Sequence, residues 1–591
     1  MRNINERYVD ETYYAHGVLK TFSVHYPETF NFAYDVVDDI GANDPDRRAM
    51  VWCNPEGEEH TFTFADMKTW SDKTANFLAE QGIGRGDFVM VVLRRHYQFW
   101  FTALALAKLG AVMVPATFML KEHDLEYRLN KASIKAVIAT NVGEIADIVD
   151  STLERYECPS VDKLILVNGG GGGLTPRNVQ GSFILDGSVG PVLSGPEGVC
   201  TLDAPREGWV DFNAGVRAAS AEFEKRDTLA ADPMLMYFSS GTSGNPKMVL
   251  HDSGYAVGHL MTAKHWHNVR PDGLHFTIAD TGWGKAVWGK FYGQWLMEAC
   301  VFTYDFDRFH AGEILNMIDK YHITTLCCPP TMYRMMMQEN FSQFDLSSLE
   351  YSTTAGEALN PDIFDFWKRQ TGLTIYEGFG QTETPLTIAN LTHTHPRSGS
   401  MGRPVPLYNV EIQRADGSRA DVGEVGEICI EMKDHPAGIM MEYYREPEKT
   451  AEAIYDGWYH TGDTAWCDED GYFWYVGRID DVIKSSGYRI GPFEIESVML
   501  EHEAVIDCAI TGVPDPMRGQ AVKATVVLAS DFTPSTALTR ELQRWVKNQT
   551  APYKFPRIIE YVDELPRTTN GKIRRVVIRE NDAKKNIDGL M

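Results

Sequence analysis

Met234-Leu235-Met236-Tyr237-Phe238-Ser239-Ser240-Gly241-Thr242-Ser243-Gly244-Asn245-Pro246-Lys247-Met248-Val249-Leu250 sets a loop of small, hydroxylated residues between two apolar runs. The pattern predicts strand, tight loop, strand. Gly241 and Gly244 let the backbone turn its amides back, the hydroxyls of Ser239, Ser240, Thr242 and Ser243 add donors, and Lys247 supplies a cation. Such a loop suits the oxygens of a polyphosphate. It is not a Walker loop, because no Gly-Lys-Ser/Thr step opens a helix. A solvated Ser/Gly hairpin with a chance lysine is the other reading of the loop alone, so its meaning rests on the rest of the chain.

At 591 residues the chain exceeds one hydrophobic core and predicts a large domain with at least one smaller one. An apolar share of 43%, with 26 Tyr and 28 Phe, predicts a folded, enzyme-sized body. A net charge of −26 argues against nucleic acid as a partner, since phosphate backbones demand a basic face. The nine cysteines contain no CxxC pair, so neither a zinc site nor a disulfide framework is signalled, and a reducing, cytoplasmic location is the simplest expectation. Met1-Arg-Asn-Ile-Asn-Glu-Arg has no apolar region and disfavours a signal or transit peptide. Phe99 to Leu120 is nearly apolar but holds Lys108 and Gly110, which predicts a core helix and a buried strand, not a membrane span.

Along the chain, residues 1 to about 45 read as a segment wrapping the main body. From Ala49, strand-like and helix-like runs alternate: Phe88 to Leu93, Tyr97 to Leu109, Ala111 to Pro115, Ala136 to Thr140 and Lys163 to Val167. Alternation of this kind predicts doubly wound α/β layers. Five consecutive glycines within Asn168 to Leu174, with more Gly and Pro through Pro196, read as a surface excursion. Residues from about 400 to 476 change to short strands and Gly/Asp turns, a small β-rich subdomain. The last hundred or so residues carry their own strands and helices, enough for a separate domain.

Further motifs follow the hydroxyl-rich loop. They are Asp280-Thr281-Gly282-Trp283-Gly284, Gly356-Glu357, Tyr376-Glu377-Gly378-Phe379-Gly380-Gln381-Thr382-Glu383, Thr461-Gly462-Asp463, Gly477-Arg478 and Gly571-Lys572. Singly each has a plain reading: a turn aspartate, a surface ion pair, a solvated lysine. Together and in this order, over roughly residues 60 to 580, they resemble the adenylate-forming superfamily of acyl-CoA synthetases, adenylation domains and luciferases. The likeness is greatest to the medium-chain acyl-CoA synthetase branch.

The resemblance implies an α/β fold. Residues 1–479 would form a large AMP- and acyl-binding domain, and residues 480–591 a small mobile α+β domain hinged at Asp480. It implies an ATP-dependent carboxylate–CoA ligase that passes through an acyl-adenylate and releases AMP and pyrophosphate. Ser239 through Lys247 would hold the β- and γ-phosphates. Gly356, Glu357 and the turn from Glu377 through Gly380, Gln381 and Thr382 would face the nucleotide. Asp463 would accept the ribose hydroxyls, with Arg478 beside it. Thr242 and Glu383 would hold Mg²⁺. Lys572 would bridge carboxylate and α-phosphate in the first step, with Thr382 and Glu383 alongside it. Ser486, Gly487, Tyr488, Arg489, Arg518, Lys554 and Arg557 are the candidates for coenzyme A.

Trp283, Gly284 and Gly380 would line the acyl slot. Acetate-specific relatives carry a tryptophan at the position of Gly380, so glycine implies a missing wall and room for short-to-medium or branched acids, with benzoate-like acids second. An enzyme that loads a separate carrier protein is a further alternative. Lys285 and Lys290 depart from the branch and receive no role. The expected partners are a carboxylic acid, ATP and CoA, and the sequence leaves a homo-oligomer open.

Overall fold

The computed structural model describes residues 3–169, 206–239, 246–486, 488–567 and 572–587. Most of the glycine-rich excursion, Ser240 to Asn245, Gly487 and Gly571 lie outside the described residues.

Two large sheets form the body. In the first, strands run in the order Glu442–Tyr443, Lys247–Asp252, Pro233–Ser239, Val112–Pro115, Phe88–Val92, Ala136–Thr140, Lys163–Val167 and Trp209–Asp211. The six strands from Pro233–Ser239 to Trp209–Asp211 are parallel, while Lys247–Asp252 runs antiparallel to Pro233–Ser239, Ser239 opposite Lys247. The second has a parallel centre of Ile375–Phe379, Tyr351–Thr354, Thr325–Cys327, Leu274–Thr277, Cys300–Tyr304 and Arg48–Cys53.

Parallel strands are buried on both faces, which is why their sequences are apolar without alternation. Val89 and Val91 point into the central core, whereas Met90 and Val92 point into another. Met50 and Trp52 join that same central core, and Val51 and Cys53 fill a third. The helices Phe64–Glu80 and Gln98–Leu109 supply much of the central layer through Met67, Trp70, Trp100 and Phe101.

The helix Gln98–Leu109 with the strand Val112–Pro115 is the nearly apolar segment. Its Lys108 is fully buried, and Nζ donates to Asp38 at 2.8 Å, Asp72 at 2.6 Å and Ser71 at 2.9 Å. A buried ammonium with three acceptors belongs to a protein core. No helix among the described residues is long and apolar enough to cross a membrane. Eight described cysteines are free.

Residues 400–478 contribute a five-stranded antiparallel sheet, Val410–Gln413, Gly426–Glu431, Trp458–Cys467 and Ile454–Tyr455, with Phe473–Arg478 also on Trp458–Cys467. One strand of this stretch, Glu442–Tyr443, leaves it to edge the first large sheet. Beyond residue 482, the strands Val505–Asp515 and Gly519–Leu528 and the helices Pro492–Leu500 and Thr536–Gln549 enclose a core of their own around Ile495, Met499, Ile510, Val526 and Leu542.

Lys290, fully buried behind the second sheet, contrasts with Lys108. Its Nζ donates to one carbonyl, Ala279 O at 2.8 Å. Burial, aided by the charge of Arg95, pushes its pKa down to about 7 against the opposing pull of Asp280 and Asp305. The folded protein therefore binds this proton less readily than the unfolded chain between about pH 7 and the ordinary lysine range, so stability rises with pH across that window. Lys290→Met is expected to raise stability near pH 6–7 by on the order of 1 kcal/mol, an advantage that shrinks towards pH 10. Thermal midpoints of both proteins across that range check it; a constant difference would show that Lys290 does not titrate there.

Candidate active site

Part of the set singled out by sequence, Gln381, Asp463 and Arg478, comes together where the five-stranded sheet meets the end of strand Ile375–Phe379. Asp463 lies on strand Trp458–Cys467, directly opposite Arg478 on the neighbouring strand. Its buried carboxylate accepts from Gln381 Nε2 at 2.5 Å, Tyr475 OH at 3.0 Å and Arg478 Nη1 at 3.4 Å. Gln381 is fixed in turn, donating to Thr461 O at 2.9 Å and accepting from Tyr459 OH at 2.6 Å. Burial works against the Arg478 charge, but Asp463 and Asp480 outweigh it and hold the guanidinium firmly protonated. Gly462 sits at φ +70°, and a Cβ there would lie 2.7 Å from an Arg478 nitrogen. Both the backbone conformation and the arginine's approach require glycine.

A second cluster adjoins it. Glu383 is buried and accepts from Tyr443 OH at 3.0 Å. Lys247 Nζ donates to the same hydroxyl at 3.3 Å and lies 4.4 Å from the centroid of the Tyr443 ring. Burial lowers the Lys247 pKa, and Glu383 opposes that shift. Glu383 offers a carboxylate oxygen that could hold a hard cation, and Lys247, at the strand leading out of the hydroxyl-rich loop, offers a positive charge to phosphate oxygens. Thr242, the other expected ligand, lies outside the described residues. Pro246 closes the loop, its carbonyl accepting from Tyr127 OH at 3.3 Å.

The turn after Ile375–Phe379 is held from below. His251, buried and with its pKa pushed down to about 4 by burial, is neutral at pH 7, and its Nε2–H donates to Thr382 O at 2.9 Å. Gly378 packs against Leu386 and Trp266, and the half-buried Phe379 lies 6.4 Å from the ring of Tyr475. Glu377 faces inward: Oε1 accepts from the Leu359 amide at 3.2 Å, Oε2 has no hydrogen-bond partner, and burial raises its pKa to about 8. Gly356, at φ +99°, is exposed with open space beside it, and Glu357 accepts from Thr331 at 2.7 Å. Lys285 anchors this turn, its Nζ donating to Ala355 O at 2.6 Å.

Gly380 departs from the sequence expectation. A Cβ at Gly380 would fall 2.4 Å from Trp288 Cη2 and 2.3 Å from Pro385 O. The space vacated by glycine is therefore filled by an indole from the helix Gly284–Lys290. Trp288 was not separable by sequence from its neighbour Trp283, which is only half-buried, next to Gly284, where a Cβ would meet open space.

The C-terminal unit docks through the helix Pro492–Leu500. Ser497 Oγ donates to Asn360 Oδ1 at 3.1 Å, and Phe493 meets Tyr475 at 6.4 Å between ring centroids. Asp480 lies 3.7 Å from Arg478 Nε, whereas Asp481 pairs with Arg579 at 2.5 Å and Arg575 at 3.7 Å. Lys572 is exposed, three residues before Arg575, whose charge acts on Tyr475 and so reaches the edge of the Asp463 network. Arg518 pairs with Asp515 at 3.4 Å and Lys554 with Glu494 at 2.5 Å. Arg557 lies over Phe555, and the exposed Tyr488 stacks on Tyr553 at 4.0 Å. Ser486 has φ +51°, its amide bonded to Arg518 O, and of Arg489 the backbone alone is described.

Comparison with known proteins identifies the family. Residues 37–444 match the family model of AMP-binding enzymes, and residues 494–572 match that of the AMP-binding enzyme C-terminal domain. The mitochondrial acyl-coenzyme A synthetase ACSM4 of Mus musculus is 39% identical over 566 residues, 94% of this chain and 91% of that protein. The mitochondrial acyl-coenzyme A synthetase ACSM5 of Homo sapiens is also 39% identical, with the same coverage. Among solved structures, the anthranilate CoA ligase AuaEII in complex with anthranoyl-AMP superposes with a TM-score of 0.81 at 26% identity, covering 95% of this chain and 99% of that one. The acyl-CoA synthetase of Brucella canis gives 0.68 at 29% identity, covering 95% and 96%. On this evidence the chain belongs to the AMP-binding enzymes and, among them, to the acyl-coenzyme A synthetases: it is an AMP-forming ligase that joins a carboxylic acid to coenzyme A through an acyl-adenylate.

Proposed function

We propose that the Asp463 network is the ribose site of this ligase, that Lys247 and Glu383 serve the triphosphate, and that Lys572 acts in adenylate formation. One observation carries the reading: three side chains from two separate segments, Gln381 from the turn after Ile375–Phe379 and Tyr475 and Arg478 from the strand Phe473–Arg478, each direct a donor at one buried carboxylate. A carboxylate so fixed offers acceptors for a vicinal diol at a set position.

In the first step the substrate carboxylate attacks the α-phosphorus of ATP and pyrophosphate leaves. Two anions meet, so the site must neutralise charge where it develops. Lys247 holds positive charge beside the phosphate loop, and Lys572 brings a mobile cation to the reacting oxygens. Glu383, with Thr242, would hold Mg²⁺, which supplies further neutralisation of the triphosphate when bound. In the second step the thiol of CoA attacks the acyl carbonyl, its proton is released, and AMP leaves. The small domain, residues 480–591, turns about Asp480 between the steps, bringing the Ser486-Gly487-Tyr488 turn to the pocket. Arg489, Arg518, Lys554 and Arg557 are the candidate cations for CoA; Arg518 and Lys554 must exchange their present carboxylate partners to serve it.

The substrate class we assign is short-to-medium or branched aliphatic acids, with Trp288 as the wall of the slot that Trp283, Gly284 and Gly380 complete. The aromatic lining, and the likeness to an anthranilate CoA ligase and to the benzoate CoA ligase of Burkholderia xenovorans, favour aryl acids as the second reading. Activity with a carrier protein in place of CoA is separated by measuring AMP release with and without CoA. Free, mostly buried cysteines fit a reducing compartment; the curated relatives carry mitochondrial names, and the cytoplasm is the other such compartment.

Lys572→Ala is expected to slow adenylate formation by on the order of 10²–10³ while leaving thioester formation from supplied acyl-adenylate largely intact. Equal loss in both half-reactions contradicts the role given to Lys572. Trp288→Leu is expected to raise kcat/KM for acids one or two methylenes longer by about tenfold relative to short acids. An unchanged chain-length profile would move the acyl slot elsewhere. Gly380→Trp, the simpler probe by sequence, is expected to lower stability instead, because the Pro385 carbonyl and the Trp288 ring occupy its path.

A further inference from the structure

The outer face of the five-stranded sheet gathers a cysteine, a histidine and a glutamate that the ligase reaction does not use. Cys429 and His460 are register partners on neighbouring antiparallel strands, so their side chains share a face. Glu427 is two residues before Cys429 and shares that face as well. His460 Nδ1 lies 3.4 Å from Cys429 Sγ and 3.1 Å from Glu427 Oε2, and the three ligand atoms all fall within 4.8 Å of one another. A tetrahedral ion with Zn–S of about 2.3 Å and Zn–N and Zn–O of about 2.0–2.2 Å needs ligand atoms roughly 3.3–3.7 Å apart. The sheet already holds His460 Nδ1 near that spacing from both other ligand atoms.

The strand pairing turns one ring nitrogen, His460 Nδ1, towards both the sulfur and the carboxylate. The ring is also fixed in orientation, stacked flat on Tyr455 with centroids 3.7 Å apart. Glu411, opposite Cys429 on the other side, adds a second carboxylate whose charge reaches the sulfur. Burial and these two acids hold Cys429 as a thiol, so an ion must displace its proton to bind.

We infer that Glu427, Cys429 and His460 form a three-ligand site for a thiophilic divalent cation, Zn²⁺ by its mixed S, N and O donors. On binding, the thiol proton goes to solvent. The imidazole keeps its single proton, which moves to Nε2, and the Nδ1 lone pair passes to the ion. The site is coupled to the nucleotide pocket, because Glu427 Oε1 accepts from the Gly462 amide at 2.8 Å, one residue before Asp463. An ion drawing on Glu427 therefore shifts the peptide that sets Asp463. This coupling arm rests on the ribose reading of Asp463, whereas ion binding itself does not.

Co²⁺ titration of the full-length enzyme tests the site by its sulfur-to-metal charge-transfer band, and competition by Zn²⁺ gives the affinity. The wild type is expected to bind one equivalent with the band, releasing one proton. Cys429→Ser is expected to lose the band and weaken Zn²⁺ binding by at least about tenfold, with His460→Gln weakening binding while keeping the band at saturating Co²⁺, and Cys467→Ser unchanged. Melting midpoints of the metal-free variants check that each is folded. A wild type without the band, or a folded Cys429→Ser that keeps it, overturns the site. Zn²⁺ should also raise the KM for ATP in the wild type and not in Cys429→Ser at equal total metal. Binding with identical ATP dependence in both overturns the coupling alone.

Discussion

The constraint on which the rest of this enzyme depends is the burial of one carboxylate. Asp463 is buried, and an unpaired charge there would be severely destabilising. Gln381, Tyr475 and Arg478 remove that penalty, and in doing so they tie together the second large sheet, the five-stranded sheet and the approach to the C-terminal unit. The network is a structural joint and a set of acceptors at once. Its rigidity comes from one further layer, in which Tyr459 and Thr461 orient Gln381, and Gly462 admits the arginine.

The fold was largely readable because its strands and helices obey strong local rules. The apolar runs Phe88 to Leu93 and Ala136 to Thr140 occur as buried parallel strands, and Tyr97 to Leu109 as a helix from Gln98. The β-rich character of residues 400–478 followed from turn chemistry. The site motifs were readable as motifs, but their cross-strand partners were not. Nothing local links Tyr475 to Asp463, Tyr443 to Glu383 or His251 to Thr382, since each pairing depends on tertiary register. The Glu427, Cys429 and His460 cluster escaped for the same reason: its cysteine and histidine lie 31 positions apart and meet through strand pairing, a spacing that no zinc motif contains.

Gly380 illustrates where motif reading misleads. A missing side chain reads as a missing wall, but packing density leaves few voids near a glycine unless a neighbour fails to fill them. Trp288 fills this one, from a helix whose sequence reads as ordinary core. Lys285 and Lys290, without a role by sequence, separate on the same helix: one anchors the Ala355 turn, and the other is a poorly compensated buried cation.

The pairing of Asp481 with Arg575 and Arg579 bears on how the small domain travels. Ile479 is fastened on the other side, its amide bonded to Gly462 O at 2.9 Å. The swivel proposed at Asp480 is thus short and braced, with its carboxylate 3.7 Å from Arg478 Nε and the Asp481 and Val482 amides bonded to Arg478 O at 3.0 Å. Short axles permit few headings. The small domain would toggle between a handful of poses instead of wandering, and the search for each productive alignment would be correspondingly brief.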